Sequence, residues 1–268
     1  MKQRLITAGI GLCIVIPFFI FSYTYAWEVF IALISVLGVF ELLRAVKLVT
    51  RWELSVCSLL YALSVPLFSG STPKTAFDLT VLYLCVMLFL GVVVNRKFPP
   101  EKVCYGATFT VYVVITFSSL LFLRRMESGV LLFMLVFVGA WMTDSFAYFV
   151  GRFIGRHRMC PELSPKKTWE GAVGGWIGCI ACFLLYGFII EAVSQKTVSY
   201  FGLILTGAVA GIVSQLGDLL MSALKRRVNL KDFSNILPGH GGILDRFDSV
   251  MTVSAFLYLL ASRVSLFY

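Results

Sequence analysis

Long, almost uninterrupted apolar runs constrain this chain more than any other feature. Nine runs approach the roughly 20 apolar residues that a helix needs to cross a bilayer. We therefore predict an all-α, polytopic integral membrane protein. The predicted spans are 5–22, 27–46, 54–70, 78–95, 103–123, 129–151, 171–190, 198–222 and 249–267.

The composition excludes several other classes of protein. Hydrophobic residues make up 59% of the 268 residues and charged residues only 14%, whereas a soluble domain is about 45–50% apolar and about 25% charged. A larger core cannot account for this excess, because a chain of this length buries only about three quarters of its surface. The composition argues against a water-soluble enzyme, a disordered tail and a nucleic-acid-binding domain, despite the net charge of +9.

Lys and Arg residues are distributed unevenly over the connections between the spans. If the N-terminus is cytosolic, the N-terminal tail and the connections on the same side of the membrane hold all but five of the 23 Lys and Arg residues. Cytosolic loops are enriched in Lys and Arg. The pattern thus predicts a multi-pass protein of the plasma (inner) membrane, with a cytosolic N-terminus and an outside C-terminus. Arg124 and Arg125 are the main exception.

Two long connections, 152–170 and 223–248, fall on the predicted cytosolic face. The other connections are short, so the polar chemistry is expected in these two. We predict that residues 1–128 form five spans used for packing and lipid contact. Residues 129–268 would then form the catalytic region.

Four aspartates lie inside or at the edge of apolar spans. Asp144 and Asp218 interrupt otherwise uncharged runs, and Asp245 and Asp248 open the last helix. A carboxylate at membrane depth costs several kcal/mol unless it is paired, hydrated or bound to a cation. Pairing with Lys or Arg would explain one such acid, but four on one predicted face favour a functional site.

The spacing of these acids indicates the kind of site. Asp218, Ser222, Lys225 and Arg226 fall on one stripe of a helix. Carboxylate and hydroxyl oxygens are hard ligands that suit Mg²⁺, which usually binds one or two carboxylates together with substrate phosphates. No Cys/His cluster has zinc spacing. The candidate metal ligands are Asp144, Asp218, Asp245 and Asp248.

Basic residues and glycines complement the acids. Ser164-Pro-Lys-Lys-Thr168 precedes a predicted helix, whose free N-terminal amides attract anions together with the ammonium groups. In Pro238-Gly-His-Gly-Gly242, glycines let backbone amides approach an anion closely. No Walker A pattern occurs. A separate stripe, Gly171, Gly174, Gly175 and Gly178, is suited to close helix contact.

The segment from Ser222 to Asp248, SALKRRVNLKDFSNILPGHGGILDRFD, resembles the signature of the phosphatidate cytidylyltransferases, also called CDP-diacylglycerol synthases. It spans 27 residues with more than ten fixed positions filled. Two upstream segments, Asp144–Arg152 and Ser164–Gly171, are also similar to family segments. The resemblance covers about 140–250 and says nothing specific about the first five spans.

The resemblance implies a membrane nucleotidyltransferase of phospholipid biosynthesis. It would condense CTP with phosphatidic acid to CDP-diacylglycerol and pyrophosphate, with Mg²⁺ and a second ion, K⁺, alongside. Family acids matching Asp218 and Asp245 are associated with the metal centre. Many relatives pair as homodimers. The candidate catalytic residues are Asp218, Asp245, Lys225, Arg226 and Arg246. The candidate substrate-binding residues are Ser164, Lys166, Lys167, Thr168, Ser222, Lys231, Asp232, His240, Gly241 and Gly242.

The chemistry itself demands little acid–base catalysis. Phosphatidate carries an ionised phosphate near neutral pH, so the attacking oxygen needs no general base. Positioning and charge neutralisation are the main tasks, as in phosphoryl transfer generally. His240 is about equally suited to donate to a phosphate and to stabilise its glycine-rich turn.

Other functions also fit parts of this pattern. A structural membrane subunit would leave the four acids without a purpose. A CTP-dependent lipid kinase acting on a polyprenol or phytol would need a base to deprotonate the alcohol. An ion or phosphate transporter would use the acids along a pathway, but the polar groups crowd toward one predicted face. No internal repeat of the kind found in many transporters is evident.

Overall fold

The structure is a computed structural model that describes residues 17, 21–70, 72–94, 99–194, 196–237, 239 and 241–268. Its main elements are helices, as predicted. They are α1 (Ala26–Ala45), α2 (Trp52–Ser69), α3 (Pro73–Val94), α4 (Pro100–Arg125), α5 (Gly129–Phe137), α6 (Thr143–Phe153), α7 (Trp169–Ser194), α8 (Tyr200–Arg227) and α9 (Leu244–Ala261).

Within the described ranges, seven helical stretches are long and apolar enough to cross a membrane. They are α1, α2, α3, α4, the continuous stretch Gly129–Phe153, α7 and α8. They correspond to seven of the nine predicted spans, including 54–70, whose helix continues through Pro66. The predicted span 5–22 lies almost wholly outside the described residues. An all-α polytopic fold is confirmed.

The last helix differs from its predicted bounds of 249–267. It begins at Leu244 and ends at Ala261. Its composition, which includes Asp245, Arg246 and Asp248, keeps it outside the seven stretches that qualify as membrane spans. The chain beyond it bonds to the segment before α8: Ser199 N donates to Leu266 O at 3.1 Å, and Tyr268 N donates to Thr197 O at 2.9 Å. These backbone bonds need an extended chain, so the helix ends early.

The connection 152–170, predicted as a loop, contains a small β-hairpin. Strand β1 (Arg158–Cys160) pairs antiparallel with β2 (Ser164–Thr168). The Arg158 side chain donates to Pro165 O at 2.6 Å. The hairpin leads directly into α7.

The chain divides into two compact units. The first unit comprises residues 1–125 and 227–246, and the second unit comprises residues 126–226 and 247–268. In the first unit, α1, α2, α3 and α4 pack together, with rings of Tyr61 and Tyr83 stacked 4.2 Å apart between α2 and α3.

Internal contacts explain why Arg124 and Arg125 depart from the predicted charge distribution. Arg125 forms an ion pair with Glu28 of α1, whose side chain is 2% exposed. Buried Arg124 donates to Ser22 Oγ at 2.9 Å and lies over the ring of Tyr23. Both cations are engaged in contacts within the first unit, whereas the rule of Lys and Arg enrichment in cytosolic loops counts charges that are free in the loops.

In the second unit, α6 and α7 pack closely through the predicted glycine stripe. A Cβ on Gly175 would lie 2.7 Å from Thr143 O, and one on Gly174 would lie 2.6 Å from Val150. Because neither position has room for a side chain, the stripe makes a contact within this chain, between two helices that carry candidate site residues.

Candidate active site

A cavity of about 570 Å³ lies in the second unit, within the usual size range of ligand pockets. Helices α6, α7 and α8 and the hairpin region contribute to its wall. Its lining residues are Asp144, Ala147, Tyr148, Gly151, Arg152, Gly155, Arg156, Arg158, Met159, Lys166, Lys167, Thr168, Gly171, Ala172, Gln215 and Asp218. Five Lys and Arg side chains thus share one cavity with two carboxylates.

Three acids interact in this unit. Asp144, Asp218 and Asp248 lie near enough to repel one another electrostatically. Asp144 Oδ2 accepts from Ser249 Oγ at 3.2 Å. Asp248 Oδ1 accepts from the backbone N–H of Ser249 at 2.8 Å. Ser249 therefore contacts the carboxylates of both α6 and α9.

Local backbone features bring these acids to their places. A π-helical turn, Val138–Met142, joins α5 to α6 immediately before Asp144; such turns frequently occur at functional sites. At Gly217, α8 approaches α9 so closely that a Cβ would lie 2.8 Å from Asp248 O. The glycine lets Asp218 lie beside the helix that carries Asp248.

Asp218 pairs with Lys167 more closely than with Ser222. Its Nζ lies 2.6 Å from Asp218 Oδ2, and both side chains are about a quarter exposed. On the other oxygen, Oδ1 accepts from Ser222 Oγ at 3.3 Å. The pair leaves both charges accessible from the cavity, so a bound anion can contact Lys167 and a bound cation can contact Asp218.

Glu170 holds the backbone segment that leads into the hairpin. Its carboxylate accepts from the backbone N–H of Arg156 at 3.1 Å and of His157 at 3.2 Å, and it pairs with His157 Nδ1 at 2.6 Å. Holding this backbone fixes the start of the segment that carries Arg156 and Arg158 into the cavity wall.

Thr168 caps α7. Its Oγ1 accepts from Gly171 N at 3.1 Å, the arrangement of an N-cap hydroxyl. It is buried, and the hydroxyl lies 3.0 Å from where a Cβ on Gly151 would be. Thr168 lines the cavity while stabilising the first turn of α7.

The acids offer hard oxygen ligands, but they do not form a closed metal cage. Among the described residues, no three or more Asp, Glu, His or Cys side chains lie close enough together to hold a metal ion. Carboxylates that repel one another next to an open, basic cavity suit a cation that also binds phosphate oxygens. Mg²⁺ binds in this way.

Residues 227–246 of the signature belong to the first unit. Asp245 Oδ2 accepts from the backbone N–H of Phe233 at 2.8 Å and of Gly242 at 3.0 Å. Lys231, Asp232 and Arg246 are exposed there, and Gly241 has a φ of +89°. His240 lies outside the described residues, so its predicted role stays a prediction.

The structure brings some of the predicted site residues together. Asp144, Lys166, Lys167, Thr168 and Asp218 line one cavity. Close to these acids lie the other predicted residues of α8: Ser222 donates to Asp218 and Lys225 interacts electrostatically with Asp248. Arg226 Nε donates to Leu163 O at 3.4 Å. Ser164 begins β2 and is not among the described lining residues.

Sequence reasoning missed several lining residues. Tyr148, Arg152, Arg156, Arg158 and Gln215 face the same cavity. The arginines carried a usable signal, because the connection 152–170 holds five of the 23 Lys and Arg residues. Gln215 carried no such signal, because a single amide in an apolar helix is equally typical of an interhelical contact. Its side chain does make such a contact, donating to Ala172 O at 3.0 Å.

Comparison with known proteins relates the whole chain to one family. A family model described as "Cytidylyltransferase family" matches residues 2–264. The chain is 35% identical to the phosphatidate cytidylyltransferase of Bacillus subtilis (strain 168), covering 99% of each chain. It is 31% identical to that of Thermotoga maritima over 97% of this chain and 96% of the relative. A Brucella abortus phosphatidate cytidylyltransferase is 42% identical over 47% of this chain and 45% of its own length.

Proposed function

This chain belongs to the cytidylyltransferase family, and we infer its mechanism from that membership together with the geometry of its cavity. It is a phosphatidate cytidylyltransferase, a membrane enzyme of phospholipid biosynthesis that condenses CTP with phosphatidate to CDP-diacylglycerol and pyrophosphate. The lipid kinase and transporter alternatives are not favoured, because the relatives that match nearly the full length of this chain are phosphatidate cytidylyltransferases.

The cavity of the second unit supports this assignment as the binding site of the triphosphate. CTP is a polyanion, and the wall presents the side chains of Arg152, Arg156, Arg158, Lys166 and Lys167. Guanidinium groups bind phosphate oxygens in a forked geometry, and ammonium groups act as mobile point charges. This concentration of cations beside two carboxylates is the observation that carries the proposal.

The reaction forms one bond and breaks one. A phosphate oxygen of phosphatidate attacks the α-phosphorus of CTP, and the bond between that phosphorus and the oxygen bridging to the β-phosphorus breaks, so pyrophosphate leaves with the bond electrons. Lys167 and the cavity arginines neutralise the charge that develops on the leaving group. Lys167 is freed from its contact with Asp218 when it turns to the phosphates.

Asp218 would hold Mg²⁺ when CTP binds, and the nearby carboxylates of Asp144 and Asp248 would add to the negative charge that attracts the ion. The ion supplies charge neutralisation and a fixed orientation for the phosphates. Ser222 orients the Asp218 carboxylate through its hydrogen bond to Oδ1. Participation of Asp245, and a K⁺ as second ion, remain predictions from the signature.

The substrates differ in location, since CTP is soluble and phosphatidate lies in the bilayer. The proposed orientation therefore places the cavity at the cytosolic face of the plasma membrane, with the C-terminus outside. Single cysteines in a cysteine-free variant test this at two exposed loop positions, Glu127 and Glu162. An impermeant maleimide should label position 127 in intact cells and position 162 only after permeabilisation; the reverse pattern would contradict the orientation.

Label transfer tests the reaction itself. Purified protein in detergent is incubated with phosphatidate and CTP labelled on either the α- or the γ-phosphate. Label from the α-phosphate should enter the lipid, and label from the γ-phosphate should leave as pyrophosphate. Lipid labelled from the γ-phosphate would identify a kinase instead. Light scattering of the same sample tests the predicted homodimer.

A further inference from the structure

A buried carboxylate of α1 contacts the loop that carries the second half of the signature. Glu41 is fully buried. Its Oε1 accepts from Ser234 Oγ at 2.5 Å and from Ile243 N at 2.9 Å, and its Oε2 accepts from Leu244 N at 3.0 Å. All of these residues belong to the first unit. We define residues 228–243, which join α8 to α9, as the signature loop.

The contact is specific to this carboxylate. Leu244 is the first residue of α9, so Glu41 accepts a backbone N–H that the helix itself leaves unbonded, where negative charge is also favoured by the helix dipole. A Cβ on Gly242 would lie 2.6 Å from both carboxylate oxygens. The loop therefore has a glycine where the acid must approach its backbone.

Two carboxylates together join the middle of the loop to its C-terminal end. Glu41 bonds to Ser234 in the middle and to Ile243 at the end, and Asp245 bonds to Phe233 and Gly242 at the same two places. Asp245 is a predicted metal ligand, so its side chain has a second task besides loop closure. Glu41 is buried and supplies closure alone.

We propose that Glu41 is a positioning residue for cytidylyl transfer: it fixes the signature loop so that Asp245 and Arg246 keep the geometry that the reaction needs. This gives α1 a function beyond packing. The inference rests on the proposed use of the signature residues in the reaction. Glu41 touches no substrate in this proposal, and it acts through the backbone of the loop.

Glu41→Gln tests the proposal, with Glu28→Gln as the matched control. Glu28 is a second buried acid of α1, and it pairs with Arg125. In Glu41→Gln the new amide N–H₂ faces a backbone N–H, so one acceptor is lost. A displacement of about 1 Å can lower a rate by about 100-fold; we expect kcat to fall by about 10- to 100-fold, with KM for CTP within about threefold. Glu41→Asp, which keeps the charge, should recover part of the loss.

Hydrogen exchange separates positioning from general destabilisation. In Glu41→Gln, backbone amides of the signature loop should exchange at least about tenfold faster, while those of α2 and α3 remain unchanged. Glu28→Gln should leave both kcat and loop exchange as in the parent. If Glu41→Gln does not fold, Ser234→Ala removes one of the three bonds and should give the same pattern more weakly.

Three results would overturn the proposal. Unchanged loop exchange in a folded Glu41→Gln would show that Glu41 does not hold the loop. Faster exchange with kcat within about twofold would show that the held loop is not needed for the reaction. Equal loss of kcat in Glu28→Gln would assign the effect to α1 as a whole. A parent protein that transfers no α-label would refute the proposed function instead, and exchange would still test the loop contact.

Discussion

Replacing Asp218 with asparagine should remove nearly all activity and leave the stability of the protein nearly unchanged. Its ion pair with Lys167 is 2.6 Å long, but both side chains are about a quarter exposed, and such pairs contribute only about 0–1 kcal/mol. The stability lost with this pair is offset, because the neutral asparagine side chain no longer repels Asp144 and Asp248. The free energy of unfolding should change by less than about 1 kcal/mol, which shifts the melting temperature by less than about 4 °C.

Activity should respond far more strongly to Asp218→Asn. A carboxylate that helps to hold Mg²⁺ contributes to charge stabilisation worth several kcal/mol in the transition state. A loss of about 2.7 kcal/mol already lowers kcat/KM by about 100-fold, at 1.36 kcal/mol for each factor of ten. We therefore expect at least that reduction.

The assay combines transfer of α-label from CTP into lipid with thermal unfolding of the same detergent-solubilised sample. Asp78→Asn is the control, because Asp78 is an exposed aspartate in α3 of the first unit. It should behave as the parent in both measurements. Activity of Asp218→Asn within about threefold of the parent would remove this residue from the site, and unfolding of the variant would show that the carboxylate is structural.

Further changes test other parts of the site. Arg156→Ala should raise KM for CTP by about 3- to 10-fold in steady-state kinetics, since an exposed cation contributes modestly; an unchanged KM would exclude it from CTP binding. Gly175→Ala should destabilise the fold by about 1–3 kcal/mol in thermal unfolding, because the new Cβ would lie 2.7 Å from a backbone oxygen. Gly91→Ala, whose Cβ has its nearest contact at 3.4 Å, should not. Asp245→Asn should lower label transfer by at least about 100-fold, and near-normal transfer would remove it from the metal centre. Chelation with EDTA should abolish transfer and added Mg²⁺ should restore it; activity that persists in EDTA would refute a metal role.

The apolar spans are the part of this protein that sequence alone determined. Hydropathy is a local property of some 20 consecutive residues, so seven predicted spans recur as helices. The glycine stripe was equally local: spacing predicted close contact, and Gly174 packs against Val150. The signature was readable too, because it is contiguous in the chain, and it led to the family that the full-length comparisons establish.

Short elements with distant partners were beyond such reasoning. The hairpin of β1 and β2 has too few residues to show an alternating pattern. The end of α9 depends on backbone bonds between Ser199 and Leu266, which lie far apart in the chain. The local sequence of neither segment predicts the distant segment with which it pairs.

Glu41 shows most clearly what only the tertiary structure decided. In the sequence it is a charge that interrupts an apolar run, whereas its hydrogen-bond donor Leu244 lies 203 residues away. The five cations of one connection likewise line a single cavity only because the hairpin, α6, α7 and α8 pack around it. Periodicity and hydropathy describe neighbours along the chain, but the partner of a buried polar group is chosen by the packing of the whole unit.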